Sequence, residues 1–362
     1  MKLKFKCLLF LLLPLCALAS EPRTAYKKII SKNFTVDNNA NFSVANKYGK
    51  IVFHTWNKNE IKATITVTGF GKSDSQAQAN AESVDVNTEK SSSSAVVLRT
   101  VNGGAKGGGK GWFSWGGNSD SKGYVNIDYD IYVPQSLGKV TVENQFGDVI
   151  ADKFTYPANL QLSYCTFDIR DAESLTMTLN YCDKGKLGSV KDARIVANYS
   201  TINAENIEQL DASSNYSNYY MDKVKNLKLV TTYSDYKIQS ADRIDGTATY
   251  SDLKLQELQV DVNLKLTYSD LKVQKVSTSF KGADLSLSYS DVKLSLSRRQ
   301  PLKIQANLTY GDLSLGDLEM KNVYYEKKAT SLNYTGFAAG GNDNSPLLKV
   351  RGVNSDLKLS SY

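Results

Sequence analysis

Two sets of side chains in this 362-residue chain could do chemistry at a fixed spacing. The first is a pair of cysteines, Cys165 and Cys182, each of which directly follows a tyrosine of a repeated unit. Stacked units would bring the two Cα atoms to about 4.8 Å, inside the range that a disulfide needs. The bridge would be slightly strained because the two Cβ vectors run parallel. Two reduced thiols in serine-like positions are the alternative.

The second set is a series of aspartates that recurs at the same place in successive units. They are Asp235, Asp252, Asp270, Asp291 and Asp312. A column of carboxylates one unit apart could hold calcium. Lysines with the same outward parity follow two residues after the first four, at Lys237, Lys254, Lys272 and Lys293. Because these lysines can neutralise the acids, we expect no calcium requirement and no metal or other cofactor.

Several function classes are disfavoured by composition. A single histidine, His54, excludes a two-histidine metal site and makes a catalytic triad improbable. The aspartates recur in unit after unit, which indicates architecture rather than the local pair of carboxylates that a glycosidase uses. The net charge of +7 falls to about +4 without the three lysines of residues 1–19, and it is spread along the chain. We therefore expect neither an enzyme nor a nucleic-acid-binding protein.

The elements that would position these residues come from an internal repeat. An aromatic residue followed by Ser, Gly or Cys and often by Asp recurs at steps of 17 to 21 residues. Its positions are Phe146, Tyr164, Tyr181, Tyr199, Tyr216, Tyr233, Tyr250, Tyr268, Tyr289 and Tyr310. The series extends to Tyr334 and Asn354 with weaker matches.

The apolar residues alternate with period two and change parity at each aromatic. Leu264 and Leu266 share the parity of Tyr268, whereas Leu271 and Val273 have the opposite parity. Since alternate residues of a strand point to opposite faces, a parity change predicts a corner that keeps both apolar faces inward. We place the corner at the Ser-Asp pair, which puts the tyrosines in an interior column.

Stacked units of this kind predict an all-β protein, a parallel β-solenoid (β-helix) with rungs of about 17–21 residues. A helical interpretation fails because the period is two and Val, Thr and Tyr are abundant. An antiparallel sandwich is the alternative, which the fixed spacing disfavours. We assign residues 140–362 to the solenoid and residues 20–139 to a β-rich N-terminal cap.

Residues 1–19 have the pattern of a signal peptide, with lysines, a short apolar core and small residues at Ala17-Leu18-Ala19. Lipidation at Cys16 is a weaker alternative, because Leu15 stands where a small residue is expected. We therefore expect an exported protein, located in the periplasm, at the cell surface or outside the cell. No later segment is long and apolar enough to predict a transmembrane helix.

A glycine-rich segment interrupts the cap at residues 102–123. Trp112, Phe113 and Trp115 lie within it. Clustered aromatics in a loop can mark a contact site, so these three are candidate partner contacts. A disordered insertion without a role is the alternative. The glycine order does not fit a phosphate-binding loop.

The chain resembles the putative-adhesin β-strand-repeat families of exported bacterial proteins, which are similar in style to autotransporter-adhesin heads. The resemblance rests on residues 46–52 with Trp56, on Val133-Pro134, on residues 143–149 and on the later Tyr-Ser-Asp units. It implies a binding or structural protein of the envelope or cell surface, with a glycan or a protein as ligand. A carbohydrate-active β-helix enzyme and an envelope-stress accessory protein are the alternatives.

Overall fold

Strands form nearly all of the regular structure in residues 24–102 and 124–362, the parts of the chain that the computed structural model describes. One nine-residue helix accompanies them in those residues. The all-β class and the stack of parallel strands predicted from the sequence are both confirmed. The signal-peptide prediction for residues 1–19 and the candidate contacts Trp112, Phe113 and Trp115 lie outside the described residues.

The N-terminal region is a mixed β structure. Its elements are β1 (Thr24–Thr35), β2 (Asn41–Lys47), β3 (Ile51–Trp56), β4 (Glu60–Gly71), α1 (Asp74–Glu82), β5 (Val84–Asn87), β6 (Ala95–Asn102) and β7 (Tyr124–Pro134). β4 pairs antiparallel with both β1 and β7, and β5 pairs antiparallel with β6. Ser73 caps α1, which packs against β4 and β1. No helix in the described residues is long and apolar enough to cross a membrane.

The central stack consists of parallel strands. They are β8 (Lys139–Gln145), β9 (Asp148–Phe154), β10 (Ala158–Ser163), β11 (Thr166–Asn180), β12 (Gly185–Asn198), β13 (Thr201–Asn215), β14 (Asn218–Thr232), β15 (Asp235–Thr249), β16 (Leu253–Thr267), β17 (Leu271–Val276), β18 (Gly282–Ser288) and β19 (Val292–Leu296). Each turn of chain, here called a rung, pairs in register with the next, so that Leu264 lies beside Leu285. The backbone ladder thus aligns equivalent residues in columns along the solenoid.

Each full rung has three corners, at which two neighbouring residues both point outward. In the rung built on β13, these pairs are Glu205–Asn206, Glu208–Gln209 and Asn215–Tyr216. Each pair resets the alternation, so that the next strand segment again sends its apolar side chains inward. One continuous hydrophobic core therefore runs through the N-terminal region and the stack.

A rung of the N-terminal region joins the central stack. β2 pairs in parallel with β8, and β3 pairs in parallel with β9. Tyr48, between β2 and β3, occupies the same corner as Phe146 between β8 and β9. The repeat pattern that residues 42–53 show once in the sequence thus corresponds to a rung of the stack.

At the C-terminal end of the stack, the order of the rungs in space differs from their order in the chain. The C-terminal elements are β20 (Leu302–Thr309), β21 (Leu313–Ser314), β22 (Met320–Lys327), β23 (Ser331–Ala338), β24 (Leu347–Val353) and β25 (Leu357–Ser361). β24 pairs in parallel with β18 on one side and with β20 on the other. β25 likewise lies between β19 and β21. The chain end is thereby inserted between two rungs that precede it in sequence.

The prediction of an interior tyrosine column is wrong. The rings of the repeated tyrosines lie outside, and Tyr250 is 47% exposed. The corner lies at the Thr-Tyr pair and not at the Ser-Asp pair, because the tyrosine has left-handed backbone with φ near 50°. The change of parity is present, but the outward pair lies two residues before the Ser-Asp pair, so the serine points inward and the tyrosine outward.

The assignment of Tyr334 to the repeat is also wrong. Tyr334 is buried within β23, which pairs antiparallel with β20 and β22. An antiparallel strand has no corner in common with the parallel rungs. Asn354, in contrast, occupies the repeated corner between β24 and β25 with φ 50°.

Two other tyrosines do form an interior stack. Tyr219 and Tyr236 are fully buried with ring centroids 4.5 Å apart. The Tyr236 hydroxyl bonds Ser214 Oγ at 2.8 Å, and Ser214 bonds the Thr231 hydroxyl. Gly246, on the same strand as Tyr236, has φ 143°, and a Cβ there would come within 1.9 Å of the Leu229 carbonyl oxygen. Glycine is therefore required at this position of β15.

Candidate binding surface

An exposed aromatic stack runs along one corner of the solenoid. Among the described residues it contains ten rings, here called the aromatic ladder. These are Tyr48, Phe146, Tyr164, Tyr181, Tyr199, Tyr216, Tyr233, Tyr250, Tyr268 and Tyr289. From Tyr164 onward neighbouring centroids lie 4.8 to 4.9 Å apart. The spacing of the rungs therefore sets the spacing of the rings.

Each ladder residue has a left-handed backbone, which is unusual for a residue other than glycine, asparagine or aspartate. The values of φ range from 49° at Tyr216 to 63° at Tyr48. The backbone ladder continues through this corner, since the N–H of Tyr233 donates to the Thr249 carbonyl oxygen at 3.0 Å. Ring stacking and these hydrogen bonds together hold a conformation that the isolated residue disfavours.

A column of buried serines lies directly behind the ladder. Its members are Ser200, Ser217, Ser234, Ser251, Ser269, Ser290 and Ser355. The Ser234 hydroxyl donates to the Thr232 carbonyl oxygen and accepts the N–H of Ser217, both at 2.9 Å. The same two bonds recur along the column, so each inward hydroxyl is satisfied locally. This column is not among the predictions made from the sequence. The signal for it is parity, because each serine shares the parity of the inward apolar residues that follow it.

The ladder exposes the edges of its rings rather than their faces. Each inner ring is stacked on both sides with interplanar angles as small as 2°, between Tyr250 and Tyr268. A partner therefore meets a row of phenol edges and hydroxyl groups. The hydroxyls of the ladder tyrosines from Tyr164 to Tyr289 make no hydrogen bond to any described residue. They are free to bind a partner.

A row of uncharged polar residues flanks the ladder on one side. It comprises Ser163, Asn180, Asn198, Asn215, Thr232, Thr249, Thr267 and Ser288, each directly before a ladder tyrosine. Neighbouring members can bond each other, as Asn198 Nδ2 does with Asn180 Oδ1 at 3.1 Å. Together with the phenols, these residues form a surface that is rich in hydroxyl and amide groups.

The repeated aspartates flank the ladder on its other side and point outward. Asp235 Oδ1 accepts the backbone N–H of Asp252 at 3.0 Å, and Asp252 Oδ1 accepts that of Asp270 at 3.1 Å. Asp356 belongs to the same column and lies between Asp291 and Asp312. The carboxylates of Asp235, Asp252, Asp270, Asp291 and Asp356 thus each help to join one rung to the next.

Lysines lie beside the aspartate column, and of the four that the sequence analysis names, Lys254 forms an ion pair with it. Lys254 Nζ is 3.4 Å from Asp252, and Lys358 Nζ is 3.2 Å from Asp356. Hydrogen bonds from the Asp312 backbone N–H and from Lys358 lower the pKa of the Asp356 carboxyl. The column is therefore compensated by lysines and by backbone donors. Whether the protein requires calcium stays a prediction.

Cys165 and Cys182 occupy the serine column at successive rungs. Both are thiols and buried in the structure. The Cys165 thiol donates to the Ser163 carbonyl oxygen at 3.2 Å, as the serine hydroxyls do to their own neighbours. Burial raises the pKa of Cys165 to about 12 and also raises that of Cys182. The disulfide between them stays a prediction.

The single histidine lies on the outer surface of β3, away from the ladder. His54 Nε2 is 2.7 Å from Asp130 Oδ1, and its ring stacks on Tyr132 with centroids 4.6 Å apart. Trp56 contacts the other side of this cluster at 5.3 Å from Tyr132. The structure brings neither cysteine nor the repeated aspartates to this histidine.

Comparisons with known proteins give only remote structural similarity. No protein-family model matches the chain, and no curated protein matches it significantly. A protein described as a putative cell adhesion protein from Clostridium sporogenes is 9% identical, with a TM-score of 0.19, over 92% of this chain and 100% of that one. A putative adhesin from Parabacteroides distasonis is 13% identical, with a TM-score of 0.32, over 71% and 93%.

A third structure, described as a putative lipid binding protein from Parabacteroides distasonis, is 8% identical with a TM-score of 0.23. It covers 92% of this chain and 95% of its own. Because the identities and TM-scores are low, no function is transferred from these proteins to this chain.

We predict that the mature protein, if it is exported to an oxidising compartment as the sequence predicts, contains a Cys165–Cys182 bridge. Unfolding without reductant should then expose no thiol that iodoacetamide can alkylate, and prior reduction should add two modifications by intact mass. The reduced but folded protein should react slowly at pH 8, because the raised pKa of Cys165 keeps its buried thiol protonated. Two modifications in the unfolded, unreduced protein would show that the bridge is absent.

The exposed position of the ladder determines how much stability the loss of one ring should cost. Tyr250→Ala should lower the free energy of unfolding by about 1–2 kcal/mol, since it removes two ring contacts and creates no internal cavity. The matched variant Tyr236→Ala removes a buried ring and should cost about 3–5 kcal/mol. Denaturant unfolding of both variants measures the difference. Equal costs would contradict the outward placement of the ladder.

Proposed function

We propose that the protein is an exported, adhesin-like binding protein of the bacterial envelope or cell surface, and that the aromatic ladder is its contact surface. The observation that carries this proposal is the row of unpartnered tyrosine hydroxyls at a constant spacing of about 4.9 Å. A surface that repeats with one period along its length suits an extended partner that also repeats.

The chemistry of this surface favours a neutral, hydroxyl-rich partner, and we propose an extended glycan. Phenol hydroxyls can donate and accept hydrogen bonds, and the neighbouring asparagines and threonines add amide and hydroxyl groups. The charged columns beside them compensate each other, as Lys254 does with Asp252. A strongly charged polymer would therefore gain little from this surface.

A binding role is proposed in preference to a catalytic one. All but one of the repeated carboxylates accept a backbone N–H from the next rung, as Asp235 does from Asp252. A glycosidase needs one pair of carboxylates in distinct environments across a bond, whereas here one environment recurs in successive rungs. A carbohydrate-active enzyme is thus the less favoured alternative.

The test removes hydroxyls while it keeps the rings. In the mature protein, Tyr216, Tyr233 and Tyr250 are together replaced by Phe, which the ladder already accepts at Phe146. Binding to a glycan array should fall at least about tenfold, since three hydrogen-bonding groups are lost from a continuous row. The melting temperature should change little. Tyr220→Phe, an exposed hydroxyl outside the ladder, is the matched control and should bind as the unmodified protein does.

Unchanged glycan binding by the triple variant would contradict the proposal. The protein could instead bind only proteins of the target surface, and the triple variant could lose that binding. This result would support the ladder as the contact surface but refute the glycan as its partner.

A further inference from the structure

The aromatic ladder has one vacant position near its C-terminal end. The inserted rung places Asn354 at this corner, where all the other rungs whose corner the structure describes have Tyr or Phe. Hydrogen bonds fix the order, because the Tyr289 N–H donates to the Val353 carbonyl oxygen at 3.0 Å and the Asn354 N–H donates to that of Thr309 at 2.8 Å. Tyr289, Asn354 and Tyr310 therefore occupy three successive rungs.

The vacancy is one rung high. Tyr289 and Tyr310 are two rungs apart, which corresponds to about 10 Å. Inside the ladder, two rings separated by two rungs always have a third ring between them. The shorter side chain of Asn354 is exposed and makes no hydrogen bond to the described residues. The space beyond it is open to solvent.

The two rings beside the vacancy are more exposed than the rings within the ladder. Tyr289 is 53% exposed and Tyr310 is 65% exposed, against 47% for Tyr250 and Tyr268 within the ladder. All of them have the same left-handed backbone, with φ between 50° and 54°. Tyr289 thus has one uncovered face, which no inner ring of the ladder has.

The positive and negative side chains around the vacancy balance each other. Three aspartates and three lysines lie on one side of it. Lys327 is 2.8 Å from Asp312, Lys358 is 3.2 Å from Asp356 and 3.7 Å from Asp291, and Lys293 lies beside Lys358 in the strand register. On the opposite side are Ser288, Val353 and Thr309, which are uncharged. No net charge at the rim selects an anionic or cationic guest, so an uncharged ring fits best.

We propose that the gap between Tyr289 and Tyr310 is a binding site for a single uncharged aromatic ring, of the phenol type. The guest completes the ladder by stacking on both tyrosines, and the Asn354 amide lies beside it as a hydrogen-bonding group. The ladder itself shows that a phenol is accommodated at this spacing. The site is distinct from the proposed glycan surface, which uses ring edges and not ring faces.

A phenol is preferred to a sugar ring because of the geometry of the neighbours. Planar rings within the ladder pack with interplanar angles of 2 to 15°. A flat guest can adopt this arrangement on both faces at once, with the offset stacking that aromatic pairs favour. A puckered sugar ring presents different groups on its two faces.

The experiment measures binding of p-cresol to the mature protein by NMR titration. The unmodified protein should bind one equivalent in the vacancy, and Asn354→Tyr should weaken that binding at least about tenfold, because the new ring fills the site. The matched variant Tyr216→Asn creates the same vacancy between Tyr199 and Tyr233, and it should gain a second equivalent. Asparagine tolerates the left-handed backbone of that corner, so the variant should remain folded.

The double variant Asn354→Tyr, Tyr216→Asn should bind one equivalent, at the new position. Binding that Asn354→Tyr leaves unchanged would overturn the proposal. Failure of folded Tyr216→Asn to gain a site would also overturn it. Methyl β-glucoside is titrated in parallel, and binding of the sugar in place of p-cresol with the same dependence on residue 354 would refute the aromatic assignment. Loss of glycan binding in the Phe variants bears only on the ladder edge, so the two proposals fail separately.

Discussion

The left-handed backbone at one corner of each rung is the constraint on which the rest of the structure depends. It costs roughly 1–2 kcal/mol per residue for a side chain with a Cβ. Stacking of each new ring on its neighbour contributes about 0.5–1.5 kcal/mol, which offsets much of that cost. The ladder is therefore part of what stabilises the corner. The same conformation turns the tyrosine outward and the following serine inward, which determines the chemistry of both the surface and the core behind it.

Variation in rung length is absorbed at the other corners. The step from Tyr250 to Tyr268 is 18 residues, whereas the step from Tyr268 to Tyr289 is 21. The additional residues form a turn at Ser277–Phe280, where the Phe280 N–H donates to the Ser277 carbonyl oxygen. The ladder spacing stays at 4.9 Å across both steps. The aromatic ladder therefore keeps a regular spacing although the other corners differ in length from rung to rung.

Much of this fold could be predicted from residue parity, and the main error has a definable cause. Leu264, Leu266 and Tyr268 share one parity, and Ser269, Leu271 and Val273 share the other, so the pattern allows the corner to lie on either side of residues 268–269. Hydrogen bonding decides between the two. An inward serine can bond the carbonyl two residues before it, whereas a column of inward tyrosines would need a partner for every buried hydroxyl.

Other features could not be predicted from the repeat. Insertion of residues 347–361 between earlier rungs reverses chain order, and the 65-residue separation of Ser290 and Ser355, which bond each other, leaves no local signal. The vacancy at Asn354 follows from that insertion, because in chain order Tyr310 would stack on Tyr289. Residue type alone does not separate the buried Tyr219 and Tyr236 from the ladder, which also consists mainly of tyrosines. Their parity with Met221 and Ile238 is the signal that places them inside.

The central claim is that the ladder tyrosines lie outside the solenoid and that Tyr219 and Tyr236 lie inside it. Nitration of the folded protein with tetranitromethane, mapped by mass spectrometry of its peptides, tests this claim most directly. The chain provides its own control in Tyr216 and Tyr219, three residues apart, and again in Tyr233 and Tyr236. The ladder residues Tyr216 and Tyr233 should be nitrated readily. Tyr219 and Tyr236 should not react, because both are fully buried and burial raises the pKa of Tyr236 to about 12 and also raises that of Tyr219. Preferential nitration of Tyr219 and Tyr236 would show that the ladder lies inside the solenoid and would contradict the account.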